Sequence, residues 1–458
     1  MTSLWTSQAI AQATGGTASA DFTATGVAFD SREIGPGDLF IALKGEETDG
    51  HRFVERAMAA GAAGVIVSEP VDGPHVLVGD TVAALNGLGR NARARTDAQV
   101  IGVTGSVGKT TTKETLFTAL DRGEPGRVHR SVKSYNNHTG VPLSLARMPE
   151  GTRFGVFEMG MNHKGEIAQL TRLVRPHVAV VTAIASAHVE NLGSIEAIAD
   201  AKGEIFEGLE PGGTAIIPFD TPHRDRLIAA ARPYADRIMT FGFGDGADAR
   251  ALYAVQGQNG TMVTGRIGEA QLSFTIAQPG QHMVSNALAV LAAVEAAGGD
   301  LAQAALALAE LGGLKGRGER HLIALDGGQA LLIDESYNAN PASMEATLAV
   351  LGAEPVSGRR IAVLGTMREL GGQSESAHAG LAGPIRAADV QRLILVGEDM
   401  APLAKALGSD VDLTHVADAA AATLILREDI APGDAILVKG SNAVGLAALV
   451  EALAKGTG

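Results

Sequence analysis

Ile101-Gly-Val-Thr-Gly-Ser-Val-Gly-Lys-Thr-Thr-Thr-Lys113 follows an apolar run at residues 99–103 and opens an amphipathic segment at 113–120. A strand, a glycine-rich turn and a helix in that order aim successive backbone N–H groups and a helix N-terminus at an anion. Gly105, Ser106, Val107, Gly108, Lys109, Thr110 and Thr111 therefore read as a polyphosphate cradle. Lys109 supplies its mobile positive charge and Thr110 a hydroxyl for Mg²⁺. The common Walker pattern wants a further glycine where Val103 stands, so the loop is the shorter Gly105-x-x-Gly108-Lys109-Thr110. A Gly-Lys-Thr turn on an ordinary αβ protein is the competing reading. Strand, glycines, Lys-Thr and helix agree in register, which argues against it.

The 458 residues are enough for roughly two to four domains, and 46% hydrophobic content fills more than one core. A formal charge of −14, from 37 basic and 51 acidic side chains, comes with no basic run and no interleaved aromatic stripe. Nucleic acid is thus excluded as the expected partner, in favour of small molecules. Without cysteine there is no disulfide, thiolate nucleophile or Cys-based zinc site. The N-terminal Met1-Thr-Ser-Leu-Trp has no basic segment followed by an apolar core, and no apolar stretch approaches membrane-spanning length. The expectation is a soluble cytoplasmic protein with no membrane insertion.

Outward from the loop, the chain divides at the polar tail Arg90-Asn-Ala-Arg-Ala-Arg-Thr-Asp97. Residues 26–29, 38–43, 64–67 and 75–78 read as short strands before it, with a helix at 51–60. After it, runs at 153–158, 177–184, 213–218 and 237–241 suit strands buried on both faces of a parallel sheet. Residues 249–276 alternate around Gln258-Asn259-Gly260, which reads as a β-hairpin. Helices at 284–297 and 301–311 precede Gly312-Gly-Leu-Lys-Gly-Arg-Gly318, a flexible basic connector. Strands then restart at 330–334, 360–364, 392–396 and 434–438. The expected fold is α/β in three domains: a small N-terminal α/β unit (1–96), a central P-loop parallel-sheet domain with a hairpin extension (97–314), and a Rossmann-like C-terminal domain (315–458).

Several chemistry-bearing residues fall at strand ends, where open parallel sheets place their ligands. Glu158 ends an apolar run, and a carboxylate beside a phosphate loop is a natural Mg²⁺ ligand, although a strand-end Glu caps a loop as readily. His188 ends another run and suits either a second metal or a local hydrogen bond. Lys202 is placed at a helix start, where an exposed helical lysine is the default. In Leu331-Leu-Ile-Asp-Glu-Ser-Tyr-Asn-Ala-Asn-Pro-Ala-Ser-Met344, Asn340 and Pro341 suit a helix cap and first turn. Asp334, Tyr337 and Asn338 have no such explanation and suit the ribose and base of a nucleotide. His282 and Asn286 share one helix face, able to cap the helix or meet a base. Arg317 meets phosphate if the last domain folds over the middle one, and is otherwise a solvated linker charge.

Taken in order, Thr104-Gly-Ser-Val-Gly-Lys-Thr-Thr, Glu158, His188, Lys202, Gly280-Gln-His and Asp334-Glu-Ser-Tyr-Asn-Ala-Asn-Pro resemble the Mur ligases, ATP-dependent amide-forming enzymes of peptidoglycan precursor synthesis. Asn136-Asn-His-Thr-Gly-Val-Pro142, Glu158-Met-Gly-Met-Asn-His-Lys-Gly-Glu-Ile167, Ala201-Lys-Gly-Glu-Ile-Phe206 and the segment 334–344 are similar to the branch that adds D-alanyl-D-alanine. The first and last of these, 136–142 and 334–344, argue against diaminopimelate- or lysine-adding ligases and folylpolyglutamate synthases.

The resemblance implies ATP, UDP-MurNAc-tripeptide and D-Ala-D-Ala as substrates, an acyl-phosphate intermediate and a monomer. It further implies one Mg²⁺ on Thr110 and Glu158, a second on His188, and Lys202 carbamylated into an oxygen ligand. Asn136 and Asn137 would donate to the substrate carboxylate or the oxyanion, and Arg317 would clamp phosphate. Ser31, Arg32, Lys44, Gly45, Asp49 and His51 lie in Asp30-Ser-Arg … Asp49-Gly-His51, which is similar to the family's uridine-nucleotide domain. Three positions depart from the family pattern: Met283, Thr366 and Asn442. A regulatory protein that merely switches on nucleotide is opposed by the trio Glu158, His188 and Lys202, since a switch needs no second metal position.

Overall fold

The computed structural model describes residues 3–45, 48–186, 189–257 and 260–455. The expected position of His188 and the turn residues Gln258 and Asn259 lie outside the described residues. Three main sheets organise the chain. In the N-terminal unit, strands Gly26–Ala28, Asp38–Ile41, Gly64–Val67 and His75–Leu77 run parallel, and Thr17–Ala18 closes the edge antiparallel. A two-strand ribbon, Trp5–Thr6 with Thr23–Ala24, lies beside them.

Among the described residues the central sheet has nine strands, and its middle carries the phosphate loop. Strand Gln99–Thr104 sits between Phe154–Glu158 and Val178–Val181, both parallel to it. Beyond Val178–Val181 come Thr214–Pro218, Arg237–Gly242 and Ala249–Gly257, all parallel, and beyond Phe154–Glu158 comes Val128–Arg130. Chain order therefore diverges on either side of Gln99–Thr104, and a crevice opens at its carboxyl end. On one face, helices Lys109–Gly123 and Gln281–Ala296 pack over Ile101, Val103, Val156 and Val180. On the other, helices Glu166–Val174 and Ile195–Gly203 cover Val100, Phe157, Ala179 and Val181. Helix Gln281–Ala296 buries residues all around its circumference, as a helix does when it is roofed over by others.

In the C-terminal sheet the order is Glu319–Leu325, Gly328–Glu335, Ala435–Lys439, Arg360–Gly365, Arg392–Val396 and Asp412–Val416. All are parallel except Glu319–Leu325, which forms an antiparallel edge with Gly328–Glu335.

Three local expectations are corrected and one is enlarged. The helix after the phosphate loop starts at Lys109, because Gly108 takes the left-handed conformation (φ 84°) and the threonines after it are buried helical residues. The anticipated hairpin, Ala249–Gly257 with Gly260–Ile267, is present but extended by a third antiparallel strand, Ala270–Ile276, whose turn uses Gly268 at φ 56°. The connector at 312–318 is pinned: Leu314 and Arg317 exchange backbone hydrogen bonds, and Gly318 N–H donates to the Asp334 carbonyl. Finally, Lys202 lies near the end of helix Ile195–Gly203 and is fully buried, so it is neither at a helix start nor exposed.

Candidate active site

Two glycines shape the phosphate loop. Gly105 has φ 149°, and a Cβ there would fall 2.0 Å from Thr182 Oγ1; Gly108 lets the chain pass the Asn286 side chain, 3.0 Å from where its Cβ would stand. Thr182, just past the neighbouring strand Val178–Val181, ties the loop down by donating to the Val107 carbonyl at 2.5 Å. Lys109 Nζ donates to the Gly105 carbonyl at 2.7 Å. Desolvation lowers its pKa, while Glu158 opposes the shift and Arg317 adds to it. The hydroxyl of Ser106 has no hydrogen-bond partner among the described residues, as expected of a loop built to wrap an anion.

Glu158, 1% exposed, is gripped on both oxygens: Thr110 Oγ1 donates to Oε2 at 2.9 Å and Asn136 Nδ2 to Oε1 at 2.8 Å. Asn137 instead supports its own turn, its Oδ1 accepting from the Gly140 N–H at 2.9 Å. Lys202 is 0% exposed, and its Nζ has no hydrogen-bond partner among the described residues. Its pKa is driven well below the ordinary lysine value, first by burial and then by the Lys109 charge. Glu204 and Glu158 oppose this from nearby. A hydroxyl and a carboxylate in contact, with an unsatisfied buried amine in electrostatic reach, form a donor set that suits a hard divalent cation once the amine gains oxygens.

Beside the loop, a cavity of about 350 Å³ runs to the C-terminal domain. Ser106, Val107, Gly108, Lys109, Thr110 and Thr111 line one end; His282, Asn286, Arg317 and Asn338 line the rest. The Arg317 guanidinium sits 4.0 Å over the Tyr337 ring and adds a second positive charge near Lys109. His282 is desolvated, its pKa lowered to about 4, with Lys439 contributing. It makes no side-chain cap, because Gly280 begins that helix.

Asp334 does not line the cavity. Its oxygens accept from Gly316 N–H at 2.8 Å and from the Ser336 N–H and hydroxyl, so it fastens the connector that carries Arg317. Tyr337 likewise acts from behind Arg317. Asn340 caps helix Pro341–Ala353 in a reciprocal capping box with Ser343, as its position implied.

The sequence reading overlooked Glu335, Lys439 and Gln278, which also line the cavity. Lys439 Nζ donates to the Asn338 carbonyl at 2.9 Å and lies 3.5 Å from Glu335 Oε2. Burial lowers the Lys439 pKa and raises that of Glu335, each opposed by the other. Glu335 follows Asp334 in the sequence, and strand alternation could have shown that only one of the two faces the cavity side.

Of the three departures, Met283 borders the cavity, Thr366 is buried with its hydroxyl toward the Val396 carbonyl, and Asn442 is exposed. In the N-terminal unit, Arg32 pairs with Asp30 at 2.6 Å and Ser31 is buried. Lys44 and Asp49 face each other across a turn closed by Gly45 N–H to the Thr48 carbonyl. His51 donates from Nδ1 to Asp49 at 2.6 Å and accepts the Ser68 N–H at Nε2, which defines a neutral tautomer.

Family models match most of the chain: Mur ligase catalytic domain at 23–94, middle domain at 103–294 and glutamate ligase domain at 316–442. The UDP-N-acetylmuramoyl-tripeptide--D-alanyl-D-alanine ligase of Bacillus subtilis is 37% identical, with 93% of each chain covered. That of Escherichia coli is 36% identical over 95% of this chain and 94% of its own. Among solved structures, MurF from Acinetobacter baumannii superposes with a TM-score of 0.84 at 31% identity, covering 98% of this chain and 99% of that one. MurF from Thermotoga maritima in complex with ADP gives 0.78 at 27% identity, covering 94% and 97%. Loop, strand-end carboxylate, buried lysine and full-length likeness together lead to one conclusion: the chain belongs to the Mur ligase family.

Proposed function

We propose that this chain is an ATP-dependent ligase that joins D-Ala-D-Ala to UDP-MurNAc-tripeptide through an acyl phosphate, acting as a cytoplasmic monomer. Among the described residues no helix is long and apolar enough to cross a membrane. The observation that carries the reading is that Lys109, Thr110 and Arg317 line one cavity, with Glu158 bonded to Thr110 and Lys202 within electrostatic reach of Lys109 and Glu158. Two basic side chains, Lys109 and Arg317, beside a cradle of N–H groups favour a polyanion, and the likeness to an ADP-bound relative supports ATP.

A carboxylate is a poor electrophile, so it must first be activated. The terminal carboxylate oxygen attacks the γ-phosphorus of ATP, and ADP leaves with the electrons of the broken P–O bond. The D-Ala-D-Ala amine then attacks the acyl carbon and loses a proton, and the tetrahedral intermediate collapses by expelling phosphate. Lys109 and the loop amides hold the transferring phosphoryl, and Arg317 screens charge from the opposite side. Asn136 orients Glu158 and presents an amide edge toward the acyl oxygen. Closure around the cavity excludes water from the acyl phosphate.

Thr110, Glu158, Lys202 and His188 are the residues that would hold Mg²⁺, whose chemistry is to neutralise phosphoryl charge. Burial and the Lys109 charge lower the Lys202 pKa and so favour the neutral amine, the form that adds CO₂ and releases a proton to give a carbamate with two oxygen donors. The uridine moiety falls to the N-terminal unit at Ser31, Arg32, Lys44, Gly45, Asp49 and His51, and the adenosine end of the cavity to His282, Asn286, Asn338 and, through the connector, Asp334 and Tyr337.

The test is release of inorganic phosphate from the purified protein with ATP and Mg²⁺. Release that requires both UDP-MurNAc-tripeptide and D-Ala-D-Ala is the expected result. Equal release when D-Ala-D-Ala is replaced by diaminopimelate or glutamate would refute the assignment.

A further inference from the structure

The segment between strand Val128–Arg130 and helix Gly140–Ala146 serves two neighbours at once. Toward the N-terminal unit, Glu33 accepts from the Lys133 ammonium and, at 2.9 Å, from the Tyr135 hydroxyl. Toward the phosphate site, Asn136 holds Glu158 through its side chain, and its carbonyl accepts the Gly160 N–H at 2.8 Å. Gly160 makes that approach possible, since a Cβ there would come within 2.8 Å of the Asn136 side chain.

Between these anchors lies Lys113, one helical turn beyond Lys109 and 0% exposed. Its Nζ donates to the Lys133 carbonyl at 2.6 Å, pairs with Glu114 at 2.9 Å and stands 4.0 Å from Glu158 Oε2. A buried ammonium needs acceptors for its protons, and one of them here is the backbone of a residue whose side chain is held by the N-terminal unit. Lys133 also adopts a left-handed backbone, φ 52°, which a β-carbon disfavours unless its surroundings fix it. Moving Glu33 would therefore disturb the Lys133 carbonyl and, through it, the Lys113 ammonium and the neighbouring Asn136 amide, and the last two face Glu158.

We infer that residues 131–136 form a strut through which a ligand on the N-terminal unit sets the Glu158 carboxylate, with Glu33 and Lys113 as positioning residues at its two ends. The inference rests on the ligase reading above. A strut of this kind makes the two substrates bind cooperatively, and the coupling is reciprocal.

Calorimetric titration of the full chain with Mg·ADP, alone and with UDP-MurNAc-tripeptide at saturation, reads the coupling directly. The wild type should show a factor of about five or more, typical of linked sites. In Glu33→Ala the factor falls to within about twofold of unity, while Mg·ADP alone binds as in the wild type, a result that also certifies the fold. Lys133→Asn tolerates the left-handed backbone and keeps the carbonyl but cannot reach Glu33, so it loses part of the coupling. Wild-type coupling retained in Glu33→Ala overturns the strut, as does a wild-type chain that binds both ligands without coupling. A wild-type chain that binds Mg·ADP but not UDP-MurNAc-tripeptide overturns the ligase reading and the strut with it.

Discussion

A neutral amine reacts with CO₂ and an ammonium does not, so the environment of Lys202 decides its chemistry. Complete burial, the neighbouring Lys109 charge and an Nζ without a partner among the described residues all favour the neutral form. Lys202→Ala should lose about 100-fold or more in kcat, and acetate or formate should restore part of it by supplying the missing oxygens. Intact-protein mass measured in bicarbonate checks the adduct; an active enzyme with unmodified lysine would exclude the carbamate. Lys109→Ala and Glu158→Ala should each cut ADP formation by about 10³-fold or more while UDP-MurNAc-tripeptide still binds, as calorimetry would show. Loss of binding together with turnover would point to misfolding instead. Lys109 and Glu158 were legible because a loop motif and a strand end fix their places. The burial of Lys202 was not, since helix Ile195–Gly203 is covered by tertiary packing that no local pattern announces.

At the scale of elements, strands buried on both faces were readable as apolar runs, as at Phe154–Glu158 and Arg392–Val396. The strands missed were the short N-terminal pieces Trp5–Thr6, Thr17–Ala18 and Thr23–Ala24 and edges of the two larger sheets. Glu319–Leu325 and Asp412–Val416 carry polar residues toward solvent, Val128–Arg130 is only three residues long, and all owe their conformation to a neighbouring strand. Caps, by contrast, are local: Asn340 and Pro341 sit where the sequence put them. Asn340→Ala should cost about 1 kcal/mol of stability, seen as a lower denaturation midpoint of the C-terminal transition. His129 offers a pH test. Burial lowers its pKa to about 4 against an ordinary 6.5, while Nε2 donates to the Ser144 carbonyl at 2.7 Å. Because the unfolded chain takes up this proton first, stability should fall as pH drops from 6.5 toward 4. His129→Gln should flatten that part of the profile in denaturant titrations at pH 7 and pH 5.

For the whole molecule, the cavity is assembled from two domains that the sequence presents as separate αβ units. Composition and charge implied small-molecule partners, whereas Arg317 read either as a phosphate contact, if the last domain folds over the middle one, or as a solvated linker charge. What remained hidden was which carboxylate of Asp334 and Glu335 faces the site, because that depends on how strand Gly328–Glu335 is set against Ala435–Lys439. Arg317→Ala should raise KM for ATP about tenfold or more and lower kcat, since a charge-assisted phosphate contact is lost. An unchanged KM would leave the guanidinium a structural partner of Tyr337. The central claim is that the terminal phosphoryl of ATP passes to the tripeptide carboxylate before the amide forms. UDP-MurNAc-tripeptide labelled with oxygen-18 in that carboxylate should yield phosphate carrying a single labelled oxygen. Phosphate without label, with the amide still formed, would contradict it.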